Sequence, residues 1–428
     1  MPMSRRALAA AVVALVLPLS ACGSGGGDGG TADASGKVEG DITFQTWNLR
    51  ANFKSYFEGL IDDFEAKYPG THVKWVDQPA EGYADKLSAD AAGGTLPDVV
   101  NVSPDLVAPL AQAGLALDLD KAAPAYRSEY LPGAWAGHQV PGRTGTYAFP
   151  WYLNTGPLFY NKALFEQAGL DPDRPPKTYD ELFADARRMA GKTGGKVATL
   201  ANVPTIEDFG RYGVPLMNEQ GTGFAFNDAK GVELLTRYKE LYDAKALDPQ
   251  ALTATGESAG KKFLTGAVAM NPGSALDLGN FKKNAPSLYR NIGITDQITS
   301  TGHVNMYVMG VMVNSRTRHT PAAVAFAHFV TDARNQMSFA RKVAIFPSTA
   351  GSLDDPYFTK EDGTDETRVR IAAAKSLNSA VNYTPVLFSE QMKTALRNEV
   401  AKALQGKESP REALDNAVEA ADRLLGQG

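Results

Sequence analysis

The side chains that could do chemistry are few in kind along this chain of 428 residues. Its five histidines, at positions 72, 138, 303, 319 and 328, include no pair with the short helical spacing of an HExxH zinc motif. Cys22 is the only cysteine, which excludes a disulfide within the chain and any Cys-cluster metal site. No GxSxG nucleophile elbow occurs. The nearest approach to a Walker loop, Gly256-Glu257-Ser258-Ala259-Gly260-Lys261-Lys262, has one residue too few between its glycines. It also places Lys262 where a Ser or Thr would hold magnesium. Asp118 and Asp120 lack the glycine and distal glutamate of a calcium loop and read as a solvated turn. The 48 acidic residues leave room for a carboxylate pair of the glycosidase kind, but no local pattern singles one out. No cofactor and no metal are expected, and the chain is not expected to be an enzyme. What remains is aromatic and polar: Trp47-Asn48, Ser103-Pro104-Asp105, and Trp151-Tyr152 with Asn154. An indole can lie against the apolar face of a sugar ring while amides and carboxylates bond its hydroxyls. Each has a plainer alternative: core packing for Trp47 and Trp151, a helix N-cap for Asp105. Trp75, inside a strand, reads as core.

The elements around these residues place them at strand ends. Ile42 to Trp47 alternates as a strand, and Phe53, Phe57, Leu60, Ile61, Phe64 and Tyr68 recur at helical spacing until Pro69-Gly70 stops them. His72 to Val76 is a second strand, Tyr83 to Ala92 a helix, and Pro97 to Val102 a buried third strand. Such alternation predicts an α/β fold with parallel sheets, whose ligands lie beyond the carboxyl ends of the strands. Further along, Thr178-x-x-Glu181 is a capping box, Leu234 to Tyr242 a helical stripe, and Val308 to Val313 a buried strand. Thr320-Pro321 and Ser409-Pro410-Arg411-Glu412 read as helix starts, the second as another capping box. No repeat of 20–50 residues is present.

Composition is that of a soluble globular chain, 43% apolar and 21% charged, long enough for two or three domains. A net charge of −5 argues against a general nucleic-acid binder, which needs a basic surface. The N-terminus differs from the rest. Arg5 and Arg6 precede an apolar run, Ala7 to Leu19, that is too short for a comfortable membrane span. It ends in Leu19-Ser20-Ala21-Cys22, which resembles the bacterial lipobox, whose cysteine is lipidated and becomes the mature N-terminus. Residues 1–21 are therefore expected to be a signal peptide. Residues 22–40, rich in glycine, are expected to be a flexible linker anchored to the cell membrane through Cys22.

Several segments then occur in a telling order. They are Ala92-Gly93-Gly94-Thr95-Leu96-Pro97-Asp98-Val99, Trp151 to Gly156 with Leu158-Phe159-Tyr160-Asn161-Lys162, and Leu164 to Leu170. After them come Pro176 to Leu182, Phe263-Leu264-Thr265-Gly266-Ala267-Val268-Ala269-Met270, and Ala322 to Phe329. As an ordered set over residues 41–428, they resemble the extracellular solute-binding proteins of ABC importers, the large group that includes maltose-binding protein. The resemblance implies two α/β lobes, each a parallel-rich sheet flanked by helices, joined by a hinge. Residues 41–154 and 300–347 would form the N-terminal lobe, and 155–299 with 348–428 the C-terminal lobe. It implies capture of a small solute, most simply a mono- or oligosaccharide, by a monomer that delivers it to permease subunits. A polyol or glycerol-phosphate-type ligand, or an exported carbohydrate hydrolase, are the alternatives. In relatives a tryptophan often follows the FxxGxxAM run, where this chain has Asn271-Pro272-Gly273-Ser274-Ala275. A Gly-Gly pair often precedes the later strand, where this chain has Thr301-Gly302-His303-Val304-Asn305-Met306-Tyr307. Both regions commonly reach the ligand in the family, so Gly273, Ser274 and Tyr307 join the candidates, with Tyr307 either a compensating aromatic or packed in its strand.

Overall fold

A computed structural model of the protein describes residues 34–253, 256–273 and 275–426. The expected signal segment, Cys22, part of the linker and Ser274 lie outside the described residues. The first lobe is built on a six-stranded sheet of order β2-β1-β3-β8-β4-β9. Its strands are β1 (Gly40–Trp47), β2 (Thr71–Gln78), β3 (Val99–Val102) and β4 (Phe149–Asn154) on the outward path. The chain then crosses to the second lobe, which holds β5 (Leu158–Asn161), β6 (Met270–Pro272) and β7 (Ile292–Thr295) in the order β6-β5-β7. It returns through β8 (Tyr307–Val313) and ends its sheet with β9 (Phe346–Pro347).

This path corrects the expectation of parallel-rich sheets. β1 pairs parallel with β2 and β3, but β8 pairs antiparallel with β3 and β4. The reason is directional: β8 carries the chain back from the second lobe, so it runs against every outgoing strand beside it. In the second lobe β5 is antiparallel to both neighbours, and parallel pairing occurs as single bridges such as Ala198–Val268 and Leu200–Leu247.

The first-lobe core forms where helix Arg50–Lys67 turns Phe57, Leu60, Ile61 and Phe64 inward. Phe44 of β1 and Phe64 both meet the edge of Phe326, from helix Thr320–Thr331, at ring distances of 5.2 and 5.0 Å. Each such ring removed from water contributes about 1.5–3 kcal/mol. Trp75 is core, as its strand position implies, and its indole N–H donates to Thr46 Oγ1 at 2.8 Å. In the second lobe, helix Tyr179–Thr193 opens on the expected capping box: Glu181 N–H donates to Thr178 Oγ1, and Glu181 Oε2 accepts from Thr178 N–H. At Ser409 the forward arm forms, with Glu412 N–H donating to Ser409 Oγ at 3.1 Å. The Thr320 start is one residue out: Thr320 is already helical and His319, without a side-chain capping bond, holds the N-cap position.

Residues 352–380, expected in the C-terminal lobe, also serve the first. Leu353, Phe358, Ala373 and Leu377 cluster with Leu131, Leu153 and Phe346. Val369 packs the other way, with Phe159 and Phe281. A segment beside the crossing strands has apolar surface offered by both lobes, and its own helical stripe does not decide between them.

One buried group has a pH consequence. His138 follows the helix Pro132–Ala136 and is fully enclosed, so close to β8 that a methyl group on Gly310 would sit 2.4 Å from Nε2. Burial lowers its pKa to about 4, with the Ala134 carbonyl acting in the opposite direction. An ordinary histidine takes a proton near pH 6.5, so the unfolded chain protonates first as pH falls. The contribution is complete above pH 6.5 and is lost on the way down to pH 4, amounting to about 2 kcal/mol by pH 5. His138→Gln is expected to shrink the difference in unfolding free energy between pH 7 and pH 5 by about that much. An unaltered pH difference in urea titrations of the variant would contradict the assignment.

Candidate functional site

The crossing strands are tied together before they reach the second lobe. Thr155 Oγ1 donates to the Asn305 carbonyl at 2.9 Å, linking the outgoing and returning segments. Gln297 locks both: its Nε2 donates to Thr155 Oγ1 and to the Asn305 carbonyl at 3.0 Å each, and its Oε1 accepts from Asn305 N–H at 3.0 Å. A cavity of about 470 Å³ opens beside this knot, lined by Asn154 and Gly156 from the crossing, Gly273 from the end of β6, Tyr307 from β8, and the helix Ile206–Tyr212. That volume lies within the range of about 300–1,000 Å³ usual for small-molecule sites. A second cavity of about 300 Å³ shares Asn202, Thr205, Glu207 and Tyr307 with it and continues toward Phe388, Lys393 and Arg397.

The helix Ile206–Tyr212 brings most of the charge. Asp208 accepts from Thr205 N–H at 2.8 Å, from Thr205 Oγ1 at 3.0 Å, from the Tyr179 hydroxyl at 2.7 Å and from Arg211 Nη2 at 2.6 Å. Burial raises the Tyr179 hydroxyl well above its ordinary pKa, so it stays a donor. Arg211 reaches Gln297 Oε1 at 3.3 Å with its other terminal nitrogen, joining this cluster to the crossing knot. Glu207 accepts from Thr384 Oγ1 at 2.5 Å. Over these groups stands the Tyr307 ring, which is 51% exposed, the largest exposure of any big apolar side chain among the described residues.

Of the residues singled out from sequence, Asn154, Gly273 and Tyr307 line the first cavity. Trp47, Asn48 and Asp105 do not line either one. Trp47 ends β1 half-buried against Tyr83 at 4.6 Å, followed by Asn48 in a left-handed conformation, φ 54°. Asp105 is exposed in the first turn of helix Pro104–Gln112; Ser103 holds the N-cap position, so Asp105 is not the cap. Trp151 is corrected outright. It has no exposed surface and stacks on Phe339 at 5.7 Å inside the first-lobe core, because β4 is covered on this face by helix Ala333–Ala340. Tyr152 lies beside the same ring at 6.3 Å, its hydroxyl pushed up to about 12 by burial. The polar residues that do gather at the cavity, Glu207, Asp208, Arg211, Gln297 and Asn305, were not singled out. The Thr205-x-x-Asp208 spacing signalled a helix start there, and Arg211 one turn later its partner.

Two lobes joined by crossing strands, with a polar cavity at the crossing, define a periplasmic binding protein. The chain belongs to the bacterial extracellular solute-binding protein family, whose model matches residues 50–337. Among curated relatives it is 27% identical to the sn-glycerol-3-phosphate-binding periplasmic protein of Salmonella paratyphi A over 330 residues, 70% of this chain and 71% of that one. Among solved structures it resembles the GacH receptor of Streptomyces glaucescens, studied unliganded and with acarbose, at TM-score 0.66 and 25% identity, covering 91% and 99% of the two chains. The cyclic alpha-maltosyl-1,6-maltose binding protein of Arthrobacter globiformis shares the fold at TM-score 0.72 and 20% identity, covering 91% and 100%. Proteins of this family are binding proteins that capture solutes outside the cytoplasm for ABC importers. No helix among the described residues is long and apolar enough to cross a membrane.

Proposed function

We propose that this protein captures a mono- or oligosaccharide in the cavity at the lobe crossing and presents it, enclosed by lobe closure, to the permease subunits of an importer. The observation that carries this reading is the exposed Tyr307 ring beside a wall of amides and two carboxylates. A sugar needs both at once, an apolar face for its ring carbons and acceptors for its hydroxyls. Closure works as a signal only if the solute binds the closed form more tightly than the open one. The likeness to the GacH receptor, studied in complex with acarbose, supports the ligand class. A saccharide present at about a hundred times its Kd stabilises the folded state by about 2.7 kcal/mol, so a thermal-shift panel of saccharides is expected to return a hit. Tyr307→Ala is expected to weaken that hit roughly two- to tenfold, the worth of one aromatic contact. An affinity that ignores Tyr307→Ala sinks the site, and a silent panel sinks the capture reading.

We also propose that Cys22 carries lipid and holds the folded part at the outer face of the cell membrane. The positive n-region, short apolar run and Leu19-Ser20-Ala21-Cys22 ending support this, with the glycine-rich stretch as tether. Cys22→Ser is expected to move the protein from membrane to soluble fractions, and retention of the variant on membranes would reject the anchor.

A further inference from the structure

Glu207 is an oddity for a carboxylate. Its side chain is nine-tenths buried, with 9% exposure, and it lies where the two cavities meet. One oxygen accepts from Thr384 Oγ1; among the described residues no lysine, arginine or histidine pairs with the other. The charges around it do not compensate it. The first cavity is lined by two carboxylates, Glu207 and Asp208, and one guanidinium, Arg211. Arg211 is committed to Asp208 at 2.6 Å and to Gln297 at 3.3 Å, while its Nε donates to the backbone carbonyl of Glu207, not to its carboxylate. In the second cavity Lys393 is held by Glu390 at 2.6 Å. Arg397 lines that cavity from an exposed helical position, where solvent screens it.

The carboxylate oxygen that takes no bond among the described residues belongs to a residue lining both cavities, and an ionised carboxylate only accepts, so it is open to a donor that enters them. We propose that the donor is the captured solute, and that Glu207 is the specificity-determining residue of the site: its free oxygen takes a hydroxyl hydrogen bond, and its charge turns away phosphorylated solutes. The inference rests on the capture reading and narrows it to uncharged polyhydroxylated solutes. It sets this chain apart from its curated relative named for sn-glycerol 3-phosphate, whose ligand carries the charge that Glu207 repels. Two like charges about 6 Å apart at an effective dielectric near 20 disfavour binding roughly a hundredfold.

The test uses matched pairs in thermal-shift and calorimetric titrations of the whole folded protein: glycerol with sn-glycerol 3-phosphate, glucose with glucose 6-phosphate, trehalose with trehalose 6-phosphate. Beside them runs a broad panel of unphosphorylated saccharides. Wild-type protein is expected to bind a parent compound and to disfavour its phosphate ester by roughly a hundredfold. Glu207→Gln keeps the acceptor for Thr384 and the side-chain shape, and is expected to narrow that gap to within about tenfold. No binding by any compound overturns the capture reading and the inference with it. Binding in which an ester equals or exceeds its parent overturns the Glu207 assignment alone, and the wild-type comparison decides this even if the variant fails to fold. A Glu207→Gln protein that keeps the full wild-type gap overturns it as well.

Discussion

Trp151→Ala is expected to lower the unfolding free energy by about 3–5 kcal/mol and to leave solute affinity unchanged. The indole is completely enclosed, stacked on Phe339 with ring planes 13° apart and met edge-on by Phe57 at 5.9 Å. Truncation therefore opens a cavity in a region where several aromatic rings interlock, with little freedom to collapse. A second feature refines the expectation. Among the described residues the indole N–H has no hydrogen-bond partner, and a buried donor left unpaired costs about 1–3 kcal/mol. Trp151→Phe removes that donor while keeping most of the ring. Its volume loss and its relieved N–H oppose each other, so the net change is expected to stay within about 1 kcal/mol. Urea unfolding of the two variants, with solute titrations on each folded protein, checks both halves. A stability loss for Trp151→Phe as large as that for Trp151→Ala would mean that the N–H has a partner. A drop in affinity without a drop in stability would put Trp151 back at the ligand.

The same residue shows what can be read from the chain alone. Periodicity reports which face of an element is apolar, and it located β1, β2, helix Arg50–Lys67 and the capping box at Thr178 within a few residues. It does not report what covers that face. In Phe149-Pro150-Trp151-Tyr152-Leu153-Asn154 every residue but Tyr152 and Asn154 is buried, because helices or neighbouring strands close both sides of β4. Position at a strand end therefore did not separate Asn154, which lines the cavity, from Trp151 three residues earlier, which does not. The direction of β8 was equally hidden, since it follows from the chain's excursion through about 150 residues of a second lobe. Glu207, Gln297 and Asn305 belong to no motif. They lie 90 and 8 residues apart in sequence, and only the folded crossing brings them to one wall.

The largest effect at the cavity itself is expected from Asp208→Ala, a loss of about 3–5 kcal/mol, against about 1–3 kcal/mol for Arg211→Met. The two side chains form one ion pair, with 17% and 18% exposure, yet their removal is not symmetric. Without Arg211, Asp208 still accepts from Thr205 N–H, Thr205 Oγ1 and the Tyr179 hydroxyl, so the carboxylate stays solvated by protein. Without Asp208, the guanidinium keeps two long bonds among the described residues, 3.3 Å to Gln297 Oε1 and 3.4 Å to the Glu207 carbonyl, while the Tyr179 hydroxyl loses its acceptor. A buried charge left without its counterion is costlier than a pair never formed, so adding Arg211→Met to Asp208→Ala should recover part of the loss. Asp208→Ala also frees the first turn of helix Ile206–Tyr212 from helix Tyr179–Thr193, and Glu207 sits on that turn. Solute affinity should therefore fall with Asp208→Ala more than with Arg211→Met, although neither side chain need touch the solute. Equal stability losses for the two single variants, or a double variant no more stable than Asp208→Ala, would show that the pair is not what holds this wall in place.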